Sequence, residues 1–126
     1  MATIKPTYKD VSFKGNGSAF QYIWTPVTEN DTCAVVSLPE YADRSIQVEA
    51  ASGGAFGGAS VACKGSNDGT NYESLRDPSH TTIAITSGAI QTVLENTVFT
   101  QPVASGGSGQ SITISMLFHL PHPFRT

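Results

Sequence analysis

The sequence predicts an all-β fold: a single-domain antiparallel β-sandwich or jelly-roll-like barrel with extended N- and C-terminal arms. Three observations carry this. Short segments alternate apolar and polar residues with the period of two that a half-buried strand requires. Eight or nine such segments recur roughly every 8–12 residues with Gly, Pro, Asn or Asp between them, the spacing of sandwiches and barrels. No stretch sustains the 3.6-residue period of an amphipathic helix, so helix content is expected to be small.

Residues 1–10 read as an arm, in which Pro6 and several polar residues surround an isolated Tyr8 with little to bury. The β body is expected over residues 11–118 and a tail over 119–126. Phe20, Tyr22 and Trp24 alternate with Gln21 and Ile23, a strand with a heavy aromatic face that should break at Thr25-Pro26. Tyr22 and Trp24 are the expected core residues of this segment. Residues 32–38 form a short continuous apolar strand, stopped by Pro39 and the polar loop 40–44. Ile46, Val48 and Ala50 then share one face while Gln47 and Glu49 share the other, and Val61 and Cys63 repeat that pattern. The glycine pairs Gly53-Gly54 and Gly57-Gly58 between them fit either a mobile loop or strands bent where another backbone comes close. Asn67-Asp68-Gly69 tolerates the positive φ of a tight reversal, and Tyr72 and Leu75 resume an apolar pattern beyond it. Residues 81–86 alternate around Ile83 and Ile85, and residues 89–95, AIQTVLE, fit a short helix or a strand. Residues 104–109 have the composition of a flexible hairpin connection. Last, Ile112, Ile114, Met116 and Phe118 alternate with Thr113, Ser115 and Leu117 in a long closing strand over 111–120.

At 126 residues the chain has the length of one domain. Only 13% of its residues are charged, against about 25% in an ordinary soluble protein, so the expected surface is neutral and rich in hydroxyls. The net charge is -3, and the seven basic residues are scattered without a stripe that could follow phosphates, which argues against direct nucleic-acid binding. The segment MATIKPTYKD lacks the apolar core of a signal peptide and no segment has the length of a membrane-spanning helix. The expectation is a protein made in the cytoplasm that stays soluble. On that basis the Asn16 and Asn30 sequons are chance matches in turns. Cys33 and Cys63 lie in apolar strand contexts, TCAVVSL and SVACKG, and are expected as buried free thiols in preference to a disulfide.

Motifs for chemistry are sparse. GGAFGG at 53–58 lacks the following Lys-Ser or Lys-Thr of a phosphate loop. The oxygen-rich run 66–71 misses the spacing of a calcium loop, and turn chemistry explains it better than a bound ion. His119 and His122 have H-x-x-H spacing, but Pro121 and Pro123 break any helix that would put both on one face, so zinc is not expected. Asp77, Ser79 and His80 are neighbours in sequence without the elbow or oxyanion loop of a nucleophilic triad. Glu49, Glu73, Glu95 and Asp77 offer no distinguished pair for glycoside hydrolysis. No enzyme activity and no cofactor is expected. The remaining candidates are assembly contacts at the two ends of the chain: Tyr8 and Phe13 near one, His119, His122, Phe124 and Arg125 near the other.

The run SIQVEAASGGAFGGASVACKGSNDGTNYESLRDP, with the later AIQTVLEN and SITISML, resembles small virion proteins of tailed bacteriophages, in particular capsid decoration or cement proteins. The resemblance spans residues 44–118, and its most specific element is the strand followed by GSNDGTN and an aromatic residue, here Tyr72 in place of Trp. The same hairpin is similar to segments of discoidin-like and carbohydrate-binding sandwiches.

The resemblance implies a structural protein on the capsid exterior of a virion. There it would bind the major capsid protein and clamp neighbouring capsomers, as a homo-oligomer, dimer or trimer, without nucleic-acid or membrane contacts. A tail or baseplate component is the first alternative. The second is a carbohydrate-binding module using Trp24, Tyr72 or Tyr41 as a stacking platform, which requires those rings to be exposed.

Overall fold

The structure, a computed structural model, describes residues 2–13 and 15–121. Among these residues ten strands run in order: β1 (Thr3–Ile4), β2 (Thr7–Asp10), β3 (Ala19–Thr28), β4 (Thr32–Cys33), β5 (Asp43–Ala50), β6 (Ala59–Ser66), β7 (Glu73–Ser74), β8 (Ala89–Val93), β9 (Phe99–Gly106) and β10 (Ser111–His119). No helix occurs among the described residues. A five-stranded antiparallel sheet has the order β2-β3-β10-β5-β8, and a three-stranded antiparallel sheet the order β7-β6-β9. A short parallel pair joins β1 to β4. The fold is therefore a sandwich and not a closed barrel, with β2 and β8 at the two edges of the larger sheet.

The expected alternation decides what lies between the sheets. Ile112, Ile114, Met116 and Phe118 of β10 and Ile46 and Val48 of β5 meet Val61 and Cys63 of β6 in one apolar core. Ala50, expected in phase with them, is exposed at the end of β5. Trp24 is fully buried and its indole N–H donates to the Ala34 carbonyl (3.1 Å), while Tyr22 is half-buried. Ile83 and Ile85 are buried as their spacing suggested.

Several segments depart from expectation, each for a local reason. The aromatic strand does not stop at Thr25-Pro26. β3 continues to Thr28 through a bulge in which the register with β10 jumps from Trp24 opposite Ile114 to Val27 opposite Ile112. The extra residue lets Pro26, which has no N–H to donate, sit outside the ladder and returns Val27 to the core. Within 32–38 only Thr32–Cys33 forms a strand, followed by a single bridge from Val36 to Thr100. Residues 81–86 likewise make only bridges, Thr82 to Arg76 and Ile85 to Val61. The ambiguous AIQTVLE is a strand over Ala89–Val93. The N-terminal residues expected as an arm contribute β2, an exposed edge strand paired with β3. The GSNDGTN reversal forms as read: β6 and β7 pair with Lys64 opposite Ser74, and the Asp68 carboxylate accepts the N–H groups of Thr70 and Asn71 (both 2.8 Å).

The two glycine-rich segments share a different task. Both carry the chain between sheets, 51–58 from β5 to β6 and 107–110 from β9 to β10, so the second is a crossing and not the expected hairpin. They lie backbone against backbone: Ser108 N donates to Gly57 O (2.9 Å) and Ser111 N to Ala55 O (2.8 Å). A Cβ on Gly107, where φ is +75°, would lie 2.6 Å from Ala59 N. Close approach, with positive φ, is why glycine stands there.

Arg44 is one of the seven scattered basic residues and ends the segment expected as the polar loop 40–44, yet it lies in β5 and is 3% exposed. It follows the inward phase of Ile46 and Val48. Its Nε donates to Tyr41 O (2.8 Å), Nη1 to Thr100 Oγ1 (2.7 Å), and Nη2 to Leu38 O and Thr97 O (3.0 Å each), with Cζ 5.0 Å from the centre of the Phe118 ring. Three carbonyls from two loops and one hydroxyl from β9 thus find their donors on one side chain. Replacing it by methionine (Arg44→Met) keeps the stem but orphans those acceptors, and urea unfolding is expected to give a loss of about 3 kcal/mol or more. Arg44→Lys, which keeps the charge but cannot fork, should also lose stability because it reaches fewer of the four acceptors.

Candidate functional site

The inward phase of β10 leaves Thr113, Ser115, Leu117 and His119 on the outer face of the larger sheet. Register extends that face across all five strands. One row reads Lys9, Gln21, Leu117, Ser45, Thr92 and the next Thr7, Ile23, Ser115, Gln47, Ile90. Hydroxyls and amides dominate, Lys9 is the one charge in these two rows, and Ile90 (63% exposed) and Leu117 (39%) stand open to solvent.

Two grooves mark this face and meet at Ser45 and Leu117. The larger, about 550 Å³, runs between the end of β10 and β8 and is lined by Ala42, Asp43, Pro78, Leu94 and His119 among others. The smaller, about 270 Å³, is bounded by Val11, Gln21, Gln47 and Ile90. Val11, Leu94, Leu117 and Ile90 are four of the large apolar side chains that remain exposed, and all line these grooves.

At the Val11 end, the loop joining β2 to β3 carries Phe13, 97% exposed. Asp10 organises this loop. Its Oδ1 accepts from the N–H of Ser12 (2.9 Å) and from its hydroxyl, its Oδ2 accepts Gly17 N–H (2.8 Å), and Ser12 Oγ in turn accepts Asn16 N–H (2.9 Å). The Ser12 hydroxyl and N–H, helped by Gly17, hold the Asp10 carboxyl below the ordinary aspartate range. An aromatic side chain projecting from a pre-ordered loop loses little freedom on docking.

The sequence-derived contacts do not converge on one place. His119 belongs to the outer face, while Phe13 lies in the loop beyond its Val11 end. Tyr8 lies on the opposite side of the sheet, 67% exposed and stacked on Tyr22 with ring centroids 5.5 Å apart. His122, Phe124 and Arg125 lie outside the described residues. No family model, curated protein or solved structure matches the chain.

Asp77 and Glu95, two of the residues weighed for chemistry, both accept hydrogen bonds within the chain. Asp77 Oδ1 accepts the N–H groups of Ser79 (2.9 Å) and Thr81 (3.1 Å), a turn that leaves His80 exposed. Glu95 pairs with Arg76 at 2.6 Å across a polar recess of about 430 Å³ that Glu73, Asn67 and Asn71 also line. Among the described residues no three His, Cys, Asp or Glu side chains gather as a metal site, and no helix is long and apolar enough to cross a membrane. Trp24 is buried and Tyr41 packs edge-on against Phe20, which removes both from an exposed stacking platform.

Sequence reasoning missed the outer face because its residues look like any solvent-facing set until register aligns them. The available signal was Leu117 and Ile90, apolar residues in the polar phase of their strands.

Cys33 and Cys63 are free and buried. Burial pushes both thiols up to about 12, Asp31 adding to the rise at Cys33. In the unfolded chain a thiol ionises near about 8.5. The folded state therefore binds protons that the unfolded state releases, and the stability this gives is complete below that value and declines as pH rises toward 12. Folded protein at pH 8 should leave both thiols unlabelled by a thiol reagent while urea-unfolded protein labels twice, and the urea midpoint should fall steadily above about pH 9.

Proposed function

We propose that this chain is a structural virion protein that docks on the outer surface of an assembled phage capsid through the outer face of its five-stranded sheet and stabilises contacts between capsomers. The observation that carries the docking half is that face: broad, lined with hydrogen-bonding hydroxyls and amides, with Lys9 the one charge in its two central rows and Asp43 and Glu49 in the rows beside them. It carries Leu117 and Ile90 in open grooves, with Phe13 held beyond its margin. Such a surface matches another protein surface better than a small ligand, because apolar anchors sit within a wide polar surround and the grooves are open. The capsid half rests on the resemblance of residues 44–118. Repeated copies on one shell would add many modest contacts into a strong clamp.

A glycan-binding reading draws on a separate observation, the exposed Tyr8 ring stacked on Tyr22. It places the ligand on the other side of the sheet, so the two readings separate by mutation.

Heads of the encoding phage, assembled without this protein, are mixed with it and pelleted. Saturable binding at an icosahedral multiple, with heads that then survive heating better, is expected. Phe13→Ala and Leu117→Glu should each weaken binding about tenfold or more with unchanged circular dichroism, and Tyr8→Ala should not. Binding to tails alone, or to glycans in a Tyr8-dependent way, would replace the capsid reading.

A further inference from the structure

The edge strand β8 is built to pair with itself. In an antiparallel ladder, residues that bond one neighbour alternate with residues whose N–H and C=O point to the other side. Ala51 N donates to Ser111 O (3.0 Å), so the odd-numbered residues of β5 bond β10 and the even-numbered ones bond β8, through Val93, Gln91 and Ala89. Leu94 N confirms the phase from the other end, pointing away from β5 to the Arg76 carbonyl (2.7 Å). Ile90 and Thr92 therefore aim their N–H and C=O groups off the edge of the sheet, and both residues are exposed.

Among the described residues nothing guards that edge. Sheet edges are ordinarily protected by Lys, Pro, a bulge or inward charge. The opposite edge, β2, has Lys9 and Asp10 and follows Pro6, whereas β8 reads Ala-Ile-Gln-Thr-Val, uncharged and without a bulge. A second, independent observation concerns Gln91. Its side chain shares the inward row with Ile46 and Met116, and its Oε1 is buried without a hydrogen-bond partner. A buried amide oxygen left unpaired is costly, and native structures rarely tolerate it without a reason.

We propose that a second copy of this chain covers the edge, β8 against β8 antiparallel about a two-fold axis through Gln91. Ile90 then exchanges both of its backbone bonds with Thr92 of the partner subunit, and Thr92 with Ile90 of the partner subunit, four bonds in all. Gln91 faces Gln91 of the partner subunit as a non-hydrogen-bonded pair, with Cα atoms about 4.5 Å apart. At that separation each amide, turned about its last bond so that Oε1 faces the edge, comes within reach of the other's Nε2, and each of the two orphaned acceptors gains a donor. Strands without charge meet their own copies without repulsion, and the Arg76 carbonyl closes the window at Leu94. The product is a continuous ten-stranded sheet, within the size that open sheets reach, at about ten strands. Its two outer faces lie side by side. The inference concerns this edge alone and holds or fails independently of the capsid reading.

Sedimentation of the full chain over a concentration series tests it. A dimer is expected, and Ile90→Pro should halve the sedimenting mass while leaving circular dichroism unchanged, because the Ile90 N–H takes no part in the ladder within the subunit. Gln91→Cys should form a disulfide-linked dimer under mild oxidation. Thr92→Cys should not, since Thr92 and Thr92 of the partner subunit are offset along the strands beyond the roughly 7 Å Cα limit for bridging. A monomer at every concentration, a trimer, or a dimer that survives Ile90→Pro without cross-linking through Gln91→Cys would overturn the proposal.

Discussion

The Arg44 guanidinium is the tie on which the arrangement of this sandwich depends. It lies between the sheets with its charge spread over the carbonyls of Leu38, Tyr41 and Thr97, the hydroxyl of Thr100 and the face of Phe118. Thr100 is itself buried and exchanges backbone bonds with Val36. One side chain of β5 thus fixes the loop before its own strand and the loop between β8 and β9, and packs on β10. Those loops carry irregular backbone into the core, where unpaired carbonyls would not be tolerated. A planar fork with several donors suits acceptors converging from different directions, which lysine could not match.

The grooved outer face follows from that internal order. Inward phase for Arg44, Ile46 and Val48 forces Asp43, Ser45, Gln47 and Glu49 outward, and β10 is locked in the complementary phase by Phe118. A slip of one residue would exchange the two faces. The buried half of the sheet therefore determines which hydroxyls, amides and apolar residues are displayed together.

Alternation made much of this architecture legible. β5, β6 and β10 could be read because each buries one face and wets the other, and the Asn67-Asp68-Gly69 turn because Asp68 bonds its own downstream backbone. Periodicity failed where the chain breaks its own rhythm. The bulge at Thr25-Pro26 reads as a strand end, and the bridges at Val36 and Ile85 are too short to deserve the name of strands although their side chains are buried. Arg44 reads as the end of the polar loop 40–44, because its place in the inward phase of β5 shows only once its acceptors, more than fifty residues away in the case of Thr100, are known. The candidate face was hidden for a related reason: Val11, Leu117 and Ile90 lie far apart in sequence and are brought together only by strand order.

That strand order places β10, the last strand among the described residues, at the centre of the larger sheet, bonded to β3 on one side and β5 on the other. Synthesis from the N-terminus thus makes β2, β3, β5 and β8 before the strand that joins them exists. Until residue 119 has emerged, β3 and β5 each present an open edge and the core lacks Ile112, Ile114, Met116 and Phe118. The nascent chain passes through its most adhesive state just before β10 emerges, so its yield in a crowded cell depends on how quickly β10 inserts relative to encounters between chains that still lack it.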